Sequence, residues 1–291
     1  MSASANNLMM KTITSVEEMK KWGRQIRCEG KVIGFVPTMG CLHEGHLSLV
    51  KASIAECDHT VVSIFVNPTQ FGPHEDLGSY PRNIESDKEI LLNAGADVLF
   101  YPDRKDLYPK NFQTFVEVKD KTKYLCGKSR PRFFRGVTTI VLKLFNILNP
   151  HKAFFGEKDW QQLEVIRTMV HDLNLGVTIV SKPIIRESDG LAMSSRNRYL
   201  SDEDRTMALT LSQALKSAQT RIMQGERSAE IIRTEIRQMI EKKNKTEVDY
   251  ISVCDPESFT EQKKISSRTM IALAVRVGKA RLIDNCIVEK T

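Results

Sequence analysis

The chain has 291 residues, 41% apolar and 27% charged, enough to bury a sizeable core in one large domain or two ordinary ones. That composition excludes disorder, collagen and small disulfide scaffolds, and no apolar run reaches the roughly 18 residues of a membrane span, since even Val137 to Leu148 is broken by Lys143. The net charge of +7 is spread along the chain (19 basic and 16 acidic residues from Arg186 onward), and the densest basic patches, Lys119, Lys121, Lys123 and Lys242, Lys243, Lys245, are interleaved with acidic or polar residues, which fits a compact anionic ligand and no nucleic acid.

The start, MSASANNLMM, is polar, lacks the basic and apolar regions of a secretion leader, and is expected to be a frayed terminus with nothing able to pack before Ile13. Ser15 and Glu18 form a capping box for a helix ending at Gly30, and the apolar run Lys31 to Val36 reads as a buried strand stopped by Pro37. A helix over Gly45 to Cys57 leads to Val61 to Val66, a β-branched run without polar alternation, hence a strand covered on both faces. Helices at Asn83 to Asn93, Gly136 to Leu148 and Gln161 to Leu173 alternate with strands at Asp97 to Phe100, Ala153 to Phe155 and Val177 to Val180.

This alternation predicts an α/β, doubly wound, Rossmann-like parallel sheet over residues 1–185. Beyond it, two helical stretches, Asp202 to Gln224 and Ser228 to Lys243, precede strands at Val248 to Val253, Met270 to Val275 and Arg281 to Val288. They predict a smaller α+β C-terminal domain over residues 186–291 with an antiparallel sheet. The six cysteines are scattered with no CxxC pair, which implies reduced thiols and a cytoplasmic location.

The first strand delivers the chain to Pro37-Thr38-Met39-Gly40 and then His43-Glu44-Gly45-His46, outside the carboxyl end of a strand and at the start of a helix, where open α/β sheets bind ligands. Gly40 permits a tight turn. His43 and His46, three apart on a helix N-terminus, point the same way beside unpaired N–H groups and can hydrogen-bond phosphate oxygens. The HxGH pattern is the signature of nucleotidyl transferases, the GxxxxGK[ST] phosphate loop is absent, and a metal reading lacks a third ligand at suitable spacing.

From about Ile33 to Asn285 the chain resembles the pantothenate synthetase (pantoate-β-alanine ligase) family. The likeness is carried by GFVPTMG at Gly34 to Gly40, HEGH at His43 to His46, SIFVNPTQFGP at Ser63 to Pro73, YPR at Tyr80 to Arg82, RP and FRGV between Arg130 and Val137, FFGEKDWQQL at Phe154 to Leu163, RESDGLAMSSRNRYL at Arg186 to Leu200 and RLIDN at Arg281 to Asn285. The resemblance implies a ligase in which the pantoate carboxylate attacks the α-phosphorus of MgATP, giving pantoyl adenylate and pyrophosphate, after which the β-alanine amine displaces AMP.

The same resemblance implies the site residues. His43, His46, Lys158, Ser194, Ser195 and Arg196 are expected to be catalytic, stabilising charge on the phosphates rather than forming a covalent intermediate. Met39, Gly40, Gly156, Glu157, Asp159 and Met193 join them as ATP contacts, with Asp159 on the ribose, and the Met193 to Arg196 loop resembles a mobile signature loop with a bend at Asp189-Gly190. Gln70 and Gln162 are implied to hold pantoate, Asn67 and Tyr80 to line the cleft, and Arg130 to serve the pantoate and β-alanine end. Asp87 matches the family acid for Mg²⁺, and a homodimer is implied. Two departures stand out: Phe133 where many relatives have His, and Thr69 where NPMQF is usual.

Two other readings remain. A tRNA-charging or cytidylyl-transferring enzyme would share HxGH and the SSR loop but needs an anticodon-binding region that 106 residues with a charge of +3 hardly accommodate. A nucleotide-binding sensor would show erosion of His43, His46, Lys158, Ser194, Ser195 and Arg196, all of which are present.

Overall fold

Ser15 caps the first helix as its spacing predicts, its hydroxyl accepting from the Glu18 amide at 3.3 Å. The computed structural model describes residues 10–73, 75–242 and 246–289; Met1 to Met9 of the polar start, and Lys243 and Lys245 of the second basic patch, lie outside the described residues. The chain forms two compact units. One takes the described residues of Met1–Glu117, Arg135–Gly156 and Ile166–Lys182, the other those of Val118–Phe134, Glu157–Val165 and Pro183–Thr291.

In chain order the elements are β1 (Lys11–Ile13), α1 (Val16–Cys28), β2 (Ile33–Thr38), α2 (Glu44–Glu56), β3 (His59–Ile64), α3 (Ile84–Ala94), β4 (Val98–Phe100), α4 (Arg104–Leu107), α5 (Leu125–Ser129), α6 (Phe133–Leu148), β5 (Lys152–Gly156), α7 (Trp160–Asp172) and β6 (Thr178–Lys182). They continue with α8 (Asp202–Met223), α9 (Ala229–Glu241), β7 (Thr246–Cys254), β8 (Arg268–Val277) and β9 (Ala280–Glu289), and 3₁₀ turns occupy Pro68–Gln70, Glu157–Asp159 and Ser195–Tyr199.

The first unit is built on a six-stranded sheet of order β1-β4-β3-β2-β5-β6, every pairing parallel, as the alternating pattern predicts. Successive strands step away from β2 on one side through β3 and β4, and from β5 on the other to β6. The order therefore reverses between β2 and β5, and the crevice beyond their carboxyl ends is the switch point where such sheets bind ligands. Val36, Val62, Leu99 and Phe154 pack with Leu49, Val50 and Leu91 of α2 and α3, each buried side chain contributing about 1.5–3 kcal/mol.

Two features depart from the sequence pattern. Met10 packs against this core, so ordered packing begins before Ile13, at the short edge strand β1. Pro37 does not end β2, which runs on to Thr38; the pairing with β5 covers only Gly34 and Phe35, so the missing Pro37 amide costs no ladder bond on that side.

In the second unit, α8 and α9 lie on the antiparallel sheet β7-β8-β9. Ile232, Ile236 and Ile240, four apart on α9, bury with Leu211 and Leu215 of α8 over Ile271, Leu273 and Val275. This is the smaller α+β layer that the two helical stretches and three strand-like runs predict. All six thiols are free, and burial pushes Cys254 and Cys286 up to about 12, so neither ionises near neutrality. No helix among the described residues is long and apolar enough to cross a membrane.

Candidate active site

In the first unit the site begins where β2 ends. The Thr38 hydroxyl donates to the Ser63 carbonyl at 2.8 Å and accepts from the Gly40 amide at 3.2 Å. Gly40 and Cys41 then adopt positive φ, +82° and +52°, a turn that glycine tolerates and cysteine does not favour. Asp87, on α3 and only 3% exposed, holds it there: its two carboxylate oxygens accept from the Cys41 and Leu42 amides, both at 2.8 Å. A cleft of about 320 Å³ opens beside this turn, with Met39, Gly40, Arg82, Asn83 and Asp87 among its lining residues.

The turn delivers the chain to α2, whose N-cap is His43. Its Nδ1 accepts from the Gly45 amide at 3.1 Å, which places the ring proton of the neutral imidazole on Nε2. His46, one turn on, stacks against it with ring centroids 4.0 Å apart and planes tilted by 32°. Two half-buried imidazoles on the positive end of a helix form a ready site for phosphate oxygens.

Asn67, fully buried after β3, organises the neighbouring polar group. Thr69 Oγ1 donates to Asn67 Oδ1 at 2.9 Å, and Asn67 Nδ2 donates to Gln70 Oε1 at 2.8 Å and to the Gly136 carbonyl at 3.1 Å. Thr69, the departure from NPMQF, thus orients the amide that holds Gln70. Tyr80 is buried with its ring edge-on to Phe71, 5.6 Å between centroids. Gly136 lies under this group because a Cβ there would collide with the Thr69 carbonyl, backbone that cannot swing aside.

Gly136→Ala is therefore expected to lower stability by about 1–3 kcal/mol through overpacking. Alanine for glycine inside a helix ordinarily stabilises by roughly 0.5–1 kcal/mol, so the sign alone is diagnostic. A thermal melt at or above the wild-type Tm would show that the gap accepts a methyl group.

In the second unit, Glu157, Lys158 and Asp159 form a half-buried 3₁₀ turn whose Glu157 and Lys158 carbonyls accept from Asn285 Nδ2 at 3.1 and 3.0 Å. Gly156, which precedes it in the first unit, has open space where a Cβ would stand. Gln161, not Gln162, is the buried amide of its pair: it accepts from the Cys126 amide at 3.0 Å and donates to the Lys121 and Tyr124 carbonyls. Gln162 is half-buried and makes no side-chain hydrogen bond within the described residues.

Arg130 caps the C-terminus of α5 and lies 3.8 Å above the Phe133 ring. The departure from histidine at position 133 thus supplies a cation–π shelf for this guanidinium.

The signature segment follows a hairpin bridged between Arg186 and Ala192, with Gly190 at φ +95°. Arg205 grips that hairpin, donating to Asp189 Oδ2 from Nε at 2.9 Å and from Nη2 at 2.6 Å, and to Glu187 Oε2 at 2.6 Å. Met193 is tied back by its amide to the Ile185 carbonyl at 3.0 Å. Ser194 then caps the turn carrying buried Ser195 and half-buried Arg196, its hydroxyl accepting from the Arg196 amide at 3.2 Å.

Four positions with a part in this arrangement carry no role that the sequence announces: Thr38, Gln161, Arg205 and Gly136 as a packing position. Each acts through a partner distant in sequence or through a backbone contact. Only Gly136, inside an apolar helix where glycine is costly, leaves a local trace.

A parallel sheet with paired imidazoles on a helix N-terminus beyond its switch point is the framework of an α/β enzyme with an anion-binding helix start. The chain belongs to the pantoate-β-alanine ligase family, whose model matches residues 11–287, and it is a ligase that joins pantoate to β-alanine. It is 52% identical to the pantothenate synthetase of Thermotoga petrophila over 278 residues, 96% of this chain and 99% of that protein. The pantothenate synthetase of Caldicellulosiruptor bescii is also 52% identical, over 280 residues and the same shares. The crystal structure of pantothenate synthetase from Thermus thermophilus is similar at a TM-score of 0.90 and 41% identity, covering 95% of this chain and 99% of that one. The enzyme from Francisella tularensis, solved with β-γ ATP and β-alanine, is similar at a TM-score of 0.79 and 34% identity, covering 96% and 98%.

Proposed function

We propose that the ligation uses ATP and proceeds through pantoyl adenylate, with pyrophosphate leaving in the first step and AMP in the second. The observation that carries this reading is the imidazole pair at the start of α2: His43 is held with Nε2–H as a donor and His46 lies against it. Paired imidazoles on a helix N-terminus suit negative charge growing on an α-phosphate and need no protein nucleophile. Lys158 and Arg196 are assigned to the triphosphate as full charges, and Ser194 and Ser195 as hydroxyl donors. Met39, Gly40, Gly156, Glu157, Asp159 and Met193 are assigned to the rest of the nucleotide, Asp159 to its ribose.

Pantoate is assigned to Gln70 and Gln162, with Asn67 and Tyr80 shaping the cleft and Arg130 serving the carboxylates of pantoate and β-alanine. Because Gln70 Oε1 accepts from Asn67, its amide is polarised so that Nε2–H₂ becomes the stronger donor. An amide orients the attacking carboxylate without withdrawing its charge as a guanidinium clamp would.

The residues fit a Mg²⁺ that arrives with the nucleotide. Asp87 offers one carboxylate, each oxygen already accepting one backbone amide, and the described residues contain no group of three His, Cys, Asp or Glu able to cage a metal. Such an ion, keeping mainly water and phosphate ligands, would neutralise triphosphate charge. The family resemblance and the six free thiols support a homodimeric, cytoplasmic enzyme with small-molecule partners only.

The test is pyrophosphate release from ATP with pantoate, with and without β-alanine, and with acetate in place of pantoate. Pantoate-dependent release, with AMP and pantothenate formed only on adding β-alanine, is the expected result. ATP binding without release would mark a sensor, and release driven equally by acetate would overturn the assigned carboxylate site.

A further inference from the structure

Strand β9 supplies three side chains to three separate segments of the second unit. Asn285 Nδ2 donates to the Glu157 and Lys158 carbonyls at 3.1 and 3.0 Å. Asp284, 3% exposed, takes the Arg186 guanidinium with both oxygens, at 2.7 and 3.0 Å, at the foot of the hairpin that precedes the signature turn. Arg281 reaches α5, donating from Nη2 to Ser129 Oγ at 3.4 Å and Cys126 Sγ at 3.5 Å while Asp249 holds the same guanidinium at 2.6 Å.

Two of the segments so held are too short to sustain themselves. The Glu157–Asp159 turn is three residues long and α5 is five, far below the length at which a helix is stable alone. The chain also enters α5 through Leu125 at φ +48°, an unfavoured conformation for leucine. Their geometry is therefore set by outside ties, and each carries a residue assigned above: Lys158 on the first, Arg130 as the C-cap of the second.

We infer that β9 is a positioning strand for the ligation, in which Asn285 sets Lys158 for ATP and Arg281 sets Arg130 for the carboxylate substrates, each independently of the other. Neither side chain needs to touch a substrate, so both are positioning residues. The inference rests on the assignment of Lys158 and Arg130 to those substrates.

Independence makes it testable, because a merely structural loss would lower all kinetic parameters together. Asn285→Ala removes the donor to both carbonyls. Arg281→Lys keeps a charge for Asp249 but cannot span Asp249, Cys126 and Ser129 together. Losing such an outer support typically costs about 10–100-fold. Asn285→Ala is therefore expected to raise the KM for ATP by about tenfold or more, with the KM values for pantoate and β-alanine within about twofold of wild type. Arg281→Lys is expected to do the reverse. Should Asn285→Ala fail to fold, Asn285→Ser, which keeps a shortened donor, carries the same comparison.

KM values that move together in both variants, or do not move, overturn the inference. Lys158→Ala and Arg130→Ala are assayed beside them. If those two are kinetically silent, the assignment of the substrates fails on its own account; if they are impaired while the β9 variants show no split, only the positioning role fails.

Discussion

On the role proposed for Lys158, Lys158→Ala is expected to lose at least about a hundredfold in pantoate-dependent pyrophosphate release, the cost of removing one preorganised contact to transition-state charge, about 3 kcal/mol. Its stability is expected to stay within about 0.5 kcal/mol of wild type, because the Lys158 side chain is half-buried and makes no ion pair within the described residues. What orders the residue is its backbone, held by Asn285, and alanine leaves that bond intact. His46→Ala is expected to lose a similar factor. It leaves the His43 cap on the Gly45 amide in place, so the helix start survives while the second imidazole of the pair is gone. Lys158→Arg restores charge but not shape and should recover part of the rate. Wild-type pyrophosphate release in either alanine variant would remove these residues from the chemistry, whereas a large fall in Tm would make Lys158 a packing residue.

Much of the scaffold behind that chemistry is legible in the chain. The Ser15 capping box, the uninterrupted β-branched run of β3 and the three isoleucines of α9 each carry a local period or cap that survives into the structure. The helix expected to end at Asn93 closes one residue later, before Gly95 at φ +85°. Local pattern fails where a contact decides. Three residues suffice for β1 because the edge of a finished sheet receives them, and Pro37 stays in β2 because β5 has stopped pairing by that point.

The site divides along the same line. HEGH announces itself, since cap, dipole and phosphate chemistry all lie within four residues. Nothing in EKDWQQL tells Gln161, buried against α5, from Gln162, which has no such partner. Nor does RLIDN reveal that its arginine, aspartate and asparagine hold segments about 98 to 155 residues away in the chain, because the sheet register that brings them there is set elsewhere.

Asp87→Asn separates two roles that one carboxylate can carry. An Asp on an amphipathic helix ordinarily faces water, but this one is buried with each oxygen accepting a backbone amide, from Cys41 and from Leu42. An asparagine keeps one acceptor and turns N–H₂ toward the other amide, leaving a buried donor unmet. The expected cost is about 2 kcal/mol, a fall in Tm of roughly 5 °C, measured in EDTA so that no metal contributes. Asp87→Ala removes both acceptors and should fall further. Because the same turn holds Gly40 and Cys41 at positive φ and leads directly to His43, its loosening displaces the imidazole pair, so kcat/KM for ATP should fall by about tenfold or more. Excess Mg²⁺ should restore neither stability nor rate if the staple is the dominant role. An Asp87→Asn variant with wild-type Tm in EDTA and activity rescued by Mg²⁺ would instead make metal binding the principal work of this carboxylate and leave the turn to be held by Thr38.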